Sequence, residues 1–292
     1  MTSERKYLKL IQKIMLEGEE RRGRNGITKS VFGEKLEFCF EDGFPLLTTK
    51  RMFLRGIVEE LLWFLRGSTN ANELKEKGVM IWDGNTTREF LDAKGLSDYP
   101  VGECGPIYGY QWRCFDGDYP NKEGGVDQLR YVLSELTSNP HGRRALLTGW
   151  NPKHLDKMCL PPCHVLYNFY MSSKGLSCQM YQRSCDTCTG LPFNIASTSL
   201  LTYIIATCLH VPVDRIIIVI GDAHIYEEHY VNAVEQVSRE PIAYPSIAIM
   251  KPPPPQGASV DDMIAWIENL TYDDFSLTGY KYHPPLKYAM VA

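Results

Sequence analysis

The feature that most constrains this chain is a pair of strand-length segments, residues 165–171 and 176–182, separated only by Ser172, Ser173, Lys174 and Gly175. A short polar loop ending in glycine, which supplies the positive φ that such turns need, makes the pair an antiparallel hairpin. Register then follows. With Met171 opposite Leu176, paired residue numbers sum to 347, which puts Cys163 opposite Ser184 with Arg183 beside it. Directly opposed residues have Cα atoms about 4.5–5.5 Å apart. The hairpin therefore predicts a guanidinium close to a cysteine.

Elsewhere apolar residues recur at helical spacing: Leu8, Ile11 and Met15; Ile57, Leu61 and Leu65; Val126, Leu129, Val132, Leu133 and Leu136. Each set predicts an amphipathic helix. Another helix is predicted over 260–270, where Ser259 and Asp262 form a capping box after the proline run 252–255. Strands are expected at 35–40 and 216–220. Helices and strands interleave, so the chain is of mixed α/β class. With no internal repeat and no Gly/Ser-rich linker, residues 1–292 read as one domain.

Charge limits the partners. Thirty-one basic and 35 acidic side chains leave a net charge of -4, which gives no general field for nucleic acid or an anionic membrane, so any anion must be held locally. The N-terminal residues 1–15 mix charged and apolar types, unlike a secretory signal. The most apolar runs, SLLTYIIATCL and RIIIVIGD, are shorter than the roughly 20 residues that span a bilayer. Nine cysteines, an odd number, fit reduced thiols better than a disulfide framework. A soluble cytoplasmic protein is expected.

In the segment Leu160, Pro161, Pro162, Cys163, His164, two prolines stiffen the approach to a cysteine that the hairpin places near Arg183. Positive charge there favours thiolate over thiol, the state needed for nucleophilic attack. Taken alone, Cys163 reads equally as a small buried hydrophobe. A series of longer motifs decides between the two readings. In order they are DGFPLLTTKR (42–51), EELLWFLRGSTN (59–70), IWDGN (81–85), GPIYGYQWR (105–113), GGVDQL (124–129), GRRALLTGWNP (142–152), LPPCH (160–164), YQRSCD (181–186), GLPFNIAS (190–197), GDAHIY (221–226) and HPPLK (283–287). Along nearly its whole length the chain resembles the thymidylate synthase family.

The resemblance implies a single α/β domain whose large twisted sheet packs against its copy in a homodimer. It also implies a chemistry. A cysteine, matched by Cys163, adds to C6 of the uracil ring of dUMP and makes C5 nucleophilic toward 5,10-methylenetetrahydrofolate. That folate supplies both the carbon and the hydride and leaves as dihydrofolate, with dTMP as the other product. Neither a metal nor a nicotinamide is implied. Covalent addition has a physical basis, because C5 of uracil is a poor nucleophile until a group adds at C6.

By the same resemblance the nucleotide is held by Gln182, Arg183 and Ser184, by Arg24 in the N-terminal loop, and by Arg143 and Arg144 reaching across from the second subunit. A dianionic phosphate requires such well-oriented cations. His224 and Tyr226 match residues that bind the 3′-hydroxyl of the sugar. Asn194 matches the base selector: a carboxamide offers an acceptor and a donor to the N3–H and O4 of uracil, a pattern cytosine reverses. Glu60, in an otherwise apolar helix, matches a proton-relaying glutamate whose pKa burial would raise; Glu59 reads as a helix-surface charge. Tyr108 matches a proton-transfer tyrosine and Asp186 a folate-ring contact. Trp82, Asn85, Leu160 and Gly190 match the folate pocket, and Ala292 a segment that closes over it.

Two positions depart from the family pattern: Thr189 stands where leucine is usual, and Ile220 replaces the first glycine of a Gly-Gly-Asp. Both bear on the folate pocket. Cys185 and Cys188 form one C-x-x-C, and a zinc or thiol module built on them with Cys159 and Cys163 is a distant alternative. A nearer alternative is a deoxyuridylate hydroxymethylase, which would quench the exocyclic methylene with water instead of hydride.

Overall fold

The computed structural model describes residues 3–23 and 25–289. Helix α1 (Glu4–Glu17) is followed by β1 (Glu19–Gly23) and the long β2 (Gly26–Cys39). Then come α2 (Leu54–Leu65), α3 (Asn72–Lys75), α4 (Arg88–Ala93), α5 (Tyr108–Arg113) and α6 (Gln128–Ser138). After them run β3 (Leu146–Thr148), β4 (His164–Ser172), β5 (Gly175–Asp186), α7 (Gly190–Cys208) and β6 (Val213–Tyr226). The chain continues with α8 (Tyr230–Ser238), β7 (Ser246–Ile249), α9 (Val260–Glu268) and β8 (Phe275–Thr278). Strands β1–β6 form one mixed sheet in the order β1-β2-β6-β5-β4-β3; β7 and β8 form a separate pair.

The amphipathic helices lie where their periodicity places them, although α6 starts after Val126, which is exposed. The Ser259/Asp262 capping box is formed at the start of α9. The strands extend beyond their expected ends because their pairing continues: β2 follows β6 from Thr28 to Cys39. Neighbours β5 and β6 are parallel, which requires a crossover, and α7 supplies it. This helix has 19 residues, longer than the apolar run seen in the sequence, and 83% of its most apolar window is buried within the protein. It is apolar all round, which is what a central core helix requires and why no amphipathic stripe marks it.

One polar cluster fixes the chain just ahead of the site. The fully buried Glu4 carboxylate accepts the main-chain N–H groups of Thr48 and Thr49 at 2.8–3.0 Å and both threonine hydroxyls at 2.7 Å. Four donors around one carboxylate make a saturated site, and they hold the segment from which Lys50 and Arg51 enter the cavity described below.

Candidate active site

The hairpin forms as expected from Ser172–Gly175 down to Leu166–Tyr181, each pair keeping the 347 register. Then it slips. His164 pairs with Gln182 because Val165 is an extra, bulged residue on β4. One residue further on, the N–H of Arg183 donates to the carbonyl of Cys163 at 2.9 Å. Cys163 therefore lies across from Arg183 itself, and not from Ser184 as the unbroken register predicted.

The Arg183 guanidinium is committed to this corner. Its Nε donates to Pro162 O at 2.8 Å and its Nη2 to Pro161 O at 3.0 Å, while Nη2 lies 3.9 Å from Cys163 Sγ. The prolines and the arginine thus brace each other around the sulfur. Tyr108 completes the brace, its hydroxyl accepting the Cys163 N–H at 2.7 Å. Burial nevertheless outweighs the attraction of Arg183 and the Tyr108 contact, so the Cys163 pKa is raised from its ordinary value. Arg183 favours the thiolate as its charge requires, but desolvation penalises the charged form more.

Asn194 projects from α7 into a network whose polarity can be read from one end. Gln182 Nε2 donates to Ser184 O at 3.2 Å, and a carbonyl can only accept. The same Nε2 donates to Asn194 Oδ1 at 2.8 Å, so Asn194 turns its Nδ2 toward His164 Nε2 at 2.9 Å. His164 Nε2 must then be the acceptor, and its Nδ1–H donates to Tyr167 Oη at 3.0 Å. Burial pushes the His164 pKa down to about 3, so the ring is neutral. One lone pair of Oδ1 and one proton of Nδ2 are left over by these two bonds, and Asn194 lines the cavity.

Glu60 also lines this cavity, and the indole N–H of Trp82 donates to its Oε1 at 2.8 Å. Burial raises its pKa to about 7, against the opposing effect of the indole bond. If the neutral acid delivers the proton, activity falls as pH rises through about 7. Glu60→Gln is expected to lower kcat by about 10²–10³ and to remove that limb from the pH–rate profile; a profile that keeps the limb would rule the role out. Glu59 is not the surface charge expected. It is buried and paired to Lys77 Nζ at 2.7 Å, because the next turn of chain folds over that side of α2.

Two cavities frame these groups. The first, about 380 Å³, is walled by Trp82, Tyr108, Phe193, Asn194 and Glu60, by Gly190 and Thr189 at the start of α7, and by Lys50 and Arg51. The second, about 360 Å³, is walled by Ser184, Asp222, His224 and Tyr226 together with Arg21 and Arg22. Gln182 joins them through its bonds to Asn194 and Ser184. In the second cavity, His224 Nδ1 lies 3.0 Å from Asp222 Oδ1 and Arg21 Nη1 lies 3.3 Å from Asp222 Oδ2.

The remaining expected residues are distributed unevenly. Asn85 is buried and donates its main-chain N–H to Trp82 O at 3.1 Å, and Leu160 packs against the core, but neither lines the first cavity. Asp186 lines neither cavity: its carboxylate accepts the N–H groups of Cys188 and Thr189 and the Thr189 hydroxyl, which turns the chain into α7. The departure at Thr189 is thus a side chain that both bonds Asp186 and faces the cavity. Ile220 is wholly buried in β6. Arg143 and Arg144 are exposed just before β3. Cys185 and Cys188 are buried, and burial raises both thiols, that of Cys188 to about 12. Arg24 and Ala292 lie outside the described residues.

Sequence reasoning passed over Lys50, Arg21 and His164. Lys50 is buried, its Nζ donates to Cys188 O, and burial pulls its pKa down to about 8. In DGFPLLTTKR it is one of two adjacent basic residues at the motif's end. A lysine following a polar Thr-Thr pair carries no burial signal of its own.

The site of this mixed α/β protein brings together a cysteine braced by Arg183 and by the cavity-lining Tyr108, and a buried carboxyl and an oriented carboxamide in the wall of the first cavity, while Cys163 itself lines neither cavity. The family model described as thymidylate synthase matches residues 5–292. The chain is 44% identical to a bifunctional dihydrofolate reductase-thymidylate synthase of Paramecium tetraurelia, covering 98% of this chain and 61% of that protein. It is 46% identical to a probable thymidylate synthase of Schizosaccharomyces pombe, over 99% and 47% of the two chains. It is 45% identical to the thymidylate synthase of Homo sapiens, over 98% and 90%. The chain belongs to the thymidylate synthase family. It spans roughly half of the first two relatives and most of the third.

Proposed function

We propose that the protein is a methyltransferase that converts dUMP to dTMP with 5,10-methylenetetrahydrofolate, releasing dihydrofolate. The observation that carries this reading is Asn194, whose carboxamide is oriented by Gln182 and His164 and keeps one acceptor and one donor for a uracil edge. Cys163 Sγ bonds to C6 of the ring, with loss of its proton, and is expelled when the methyl group has formed. Arg183 stabilises the sulfur's negative charge before and after the bond exists. Glu60, neutral below about pH 7, passes a proton toward O4 as negative charge builds there.

The folate supplies the one-carbon unit and the hydride. The first cavity suits such a molecule: Trp82, Phe193 and Ile81 offer flat apolar contacts, and Lys50 and Arg51 offer cations to the carboxylates at its other end. The second cavity suits the sugar and phosphate, with Ser184, His224 and Tyr226 beside Arg21. Arg24, Arg143 and Arg144 belong to the same phosphate site in this proposal, the last two supplied by the second subunit of a homodimer. Support for that dimer is the outer face of the sheet, where Leu166, Tyr181 and Val219 stand side by side and half-exposed next to Ile217 and the exposed Tyr170. Nine free cysteines support a reducing, cytoplasmic setting.

The test is incubation with dUMP or dCMP and methylenetetrahydrofolate, following dihydrofolate absorbance and product mass together. One dihydrofolate per dTMP from dUMP alone is the expected result. A hydroxymethyl nucleotide without dihydrofolate would transfer the proposal to the water-quenching alternative.

A further inference from the structure

The C-terminal segment 283–289 has no regular structure of its own, yet it is tied along one side of α8. Four residues spaced three, four and three apart make the ties: Asn232 and Gln236 from one side of α8, and His229 and Arg239 from the positions that flank it. His229 Nε2–H donates to Ala289 O at 2.9 Å and Asn232 Nδ2 to Lys287 O at 2.6 Å. Gln236 Oε1 accepts the Tyr288 hydroxyl at 2.8 Å, and Arg239 Nη1 donates to Pro284 O at 2.7 Å. The segment runs antiparallel to the helix, and three of its four ties are to main-chain carbonyls.

What these ties hold in place is part of the first cavity. Leu286 and Tyr288 line it. The Tyr288 ring lies 4.6 Å from Lys50 Nζ and packs edge-on against His229 at 5.2 Å. Gln236 is wholly buried, and its Nε2 donates to Thr49 Oγ1 at 3.0 Å, so the residue gripping Tyr288 is itself anchored to the segment that carries Lys50.

We infer that this face of α8 is a clasp for the C-terminal segment and that Asn232, Gln236 and Arg239 are positioning residues which decide whether Leu286 and Tyr288 wall the first cavity. Tied in this way, the segment presents a tyrosine face and an apolar leucine to whatever occupies that cavity. Of the residues that make the four ties through their side chains, only Tyr288 lines the first cavity. Main-chain ties make the dock indifferent to most side chains of the segment and dependent on the helix residues.

The clasp is tested on ligand-free protein by carboxypeptidase Y digestion followed by mass spectrometry, scoring release of Ala289 and Tyr288 once residues 290–292 have gone. Asn232→Ala and Tyr288→Phe each delete one tie, Asn232 being a partly exposed residue and the phenylalanine keeping the ring on Lys50. Release is expected to quicken about fivefold in each variant and on the order of 25-fold in the double variant, the effect of one and two typical net hydrogen bonds. Release from the double variant at the wild-type rate would overturn the clasp. A second readout rests on the proposed function: KM for methylenetetrahydrofolate rises several-fold in Asn232→Ala while the Kd for dUMP, measured by calorimetry, stays put. An equal loss of dUMP affinity would mean general damage and would also overturn it. Because the digestion needs no turnover, a protein that makes no dTMP but shows the accelerated release would cost the functional proposal and leave the clasp standing.

Discussion

Cys163→Ala is expected to lower dTMP formation by on the order of 10⁴-fold or more while dUMP still binds within a few-fold of the wild-type affinity. The reason is chemical: without a group adding at C6 the ring has no nucleophilic C5, and no other cysteine can substitute. Cys185 and Cys188, two and five residues after Arg183, are buried with raised pKa values, and Cys159 is wholly buried. Since burial also holds Cys163 above the ordinary thiol value, its alkylation by iodoacetamide without nucleotide should be slow at pH 7 and rise about tenfold per pH unit up to pH 9. The sign is fixed by the thiolate being the reactive form. Rapid, pH-independent alkylation at pH 6 would show a resting thiolate, and substantial turnover by Cys163→Ala would remove covalent addition from the proposal.

How much of this was legible depended on the range of the interaction concerned. The hairpin turn, the Ser259/Asp262 capping box and the amphipathic helices are local, and their signals lie within a few residues of the atoms they place. The Cys163–Arg183 pairing needed only the hairpin, but the bulge at Val165, which decides the partner, has no glycine or proline to announce it. Helix α7 was hidden for the opposite reason: burial on every side erases the periodicity by which helices are found. Glu59 looked like a surface charge because its partner Lys77 lies 18 residues away. The clasp on α8 is hidden more deeply, since three of its four ties end on carbonyls, which every residue possesses. Site chemistry was legible only through whole motifs. Single residues such as Asn194 or Glu60 would have read as a turn residue and a charge.

Asn194→Asp is expected to reverse base choice, lowering kcat/KM for dUMP on the order of 10³-fold and giving measurable processing of dCMP. The wild-type carboxamide carries an acceptor at Oδ1 and a donor at Nδ2, each with one position already taken by Gln182 and His164. Replacing Nδ2 with oxygen sets it against the acceptor Nε2 of His164, a repulsion that the imidazole can relieve by exchanging tautomers. Nε2–H then donates to the aspartate, and Nδ1 accepts from the Tyr167 hydroxyl, which can donate as readily as accept. No protonation is needed, because burial keeps His164 neutral with a pKa near 3. The exchange leaves an oxygen acceptor where uracil O4 expects a donor, and O4 and aspartate oxygen repel. Cytosine offers an amino group there instead, and its N3 lone pair is met by the proton that a buried aspartic acid retains. Competition between dUMP and dCMP, scored by product mass, checks the reversal; ¹⁵N shifts of His164 in the two proteins check the tautomer exchange that permits it. A variant that still prefers dUMP by the wild-type margin would mean that base choice is made elsewhere in the cavity wall.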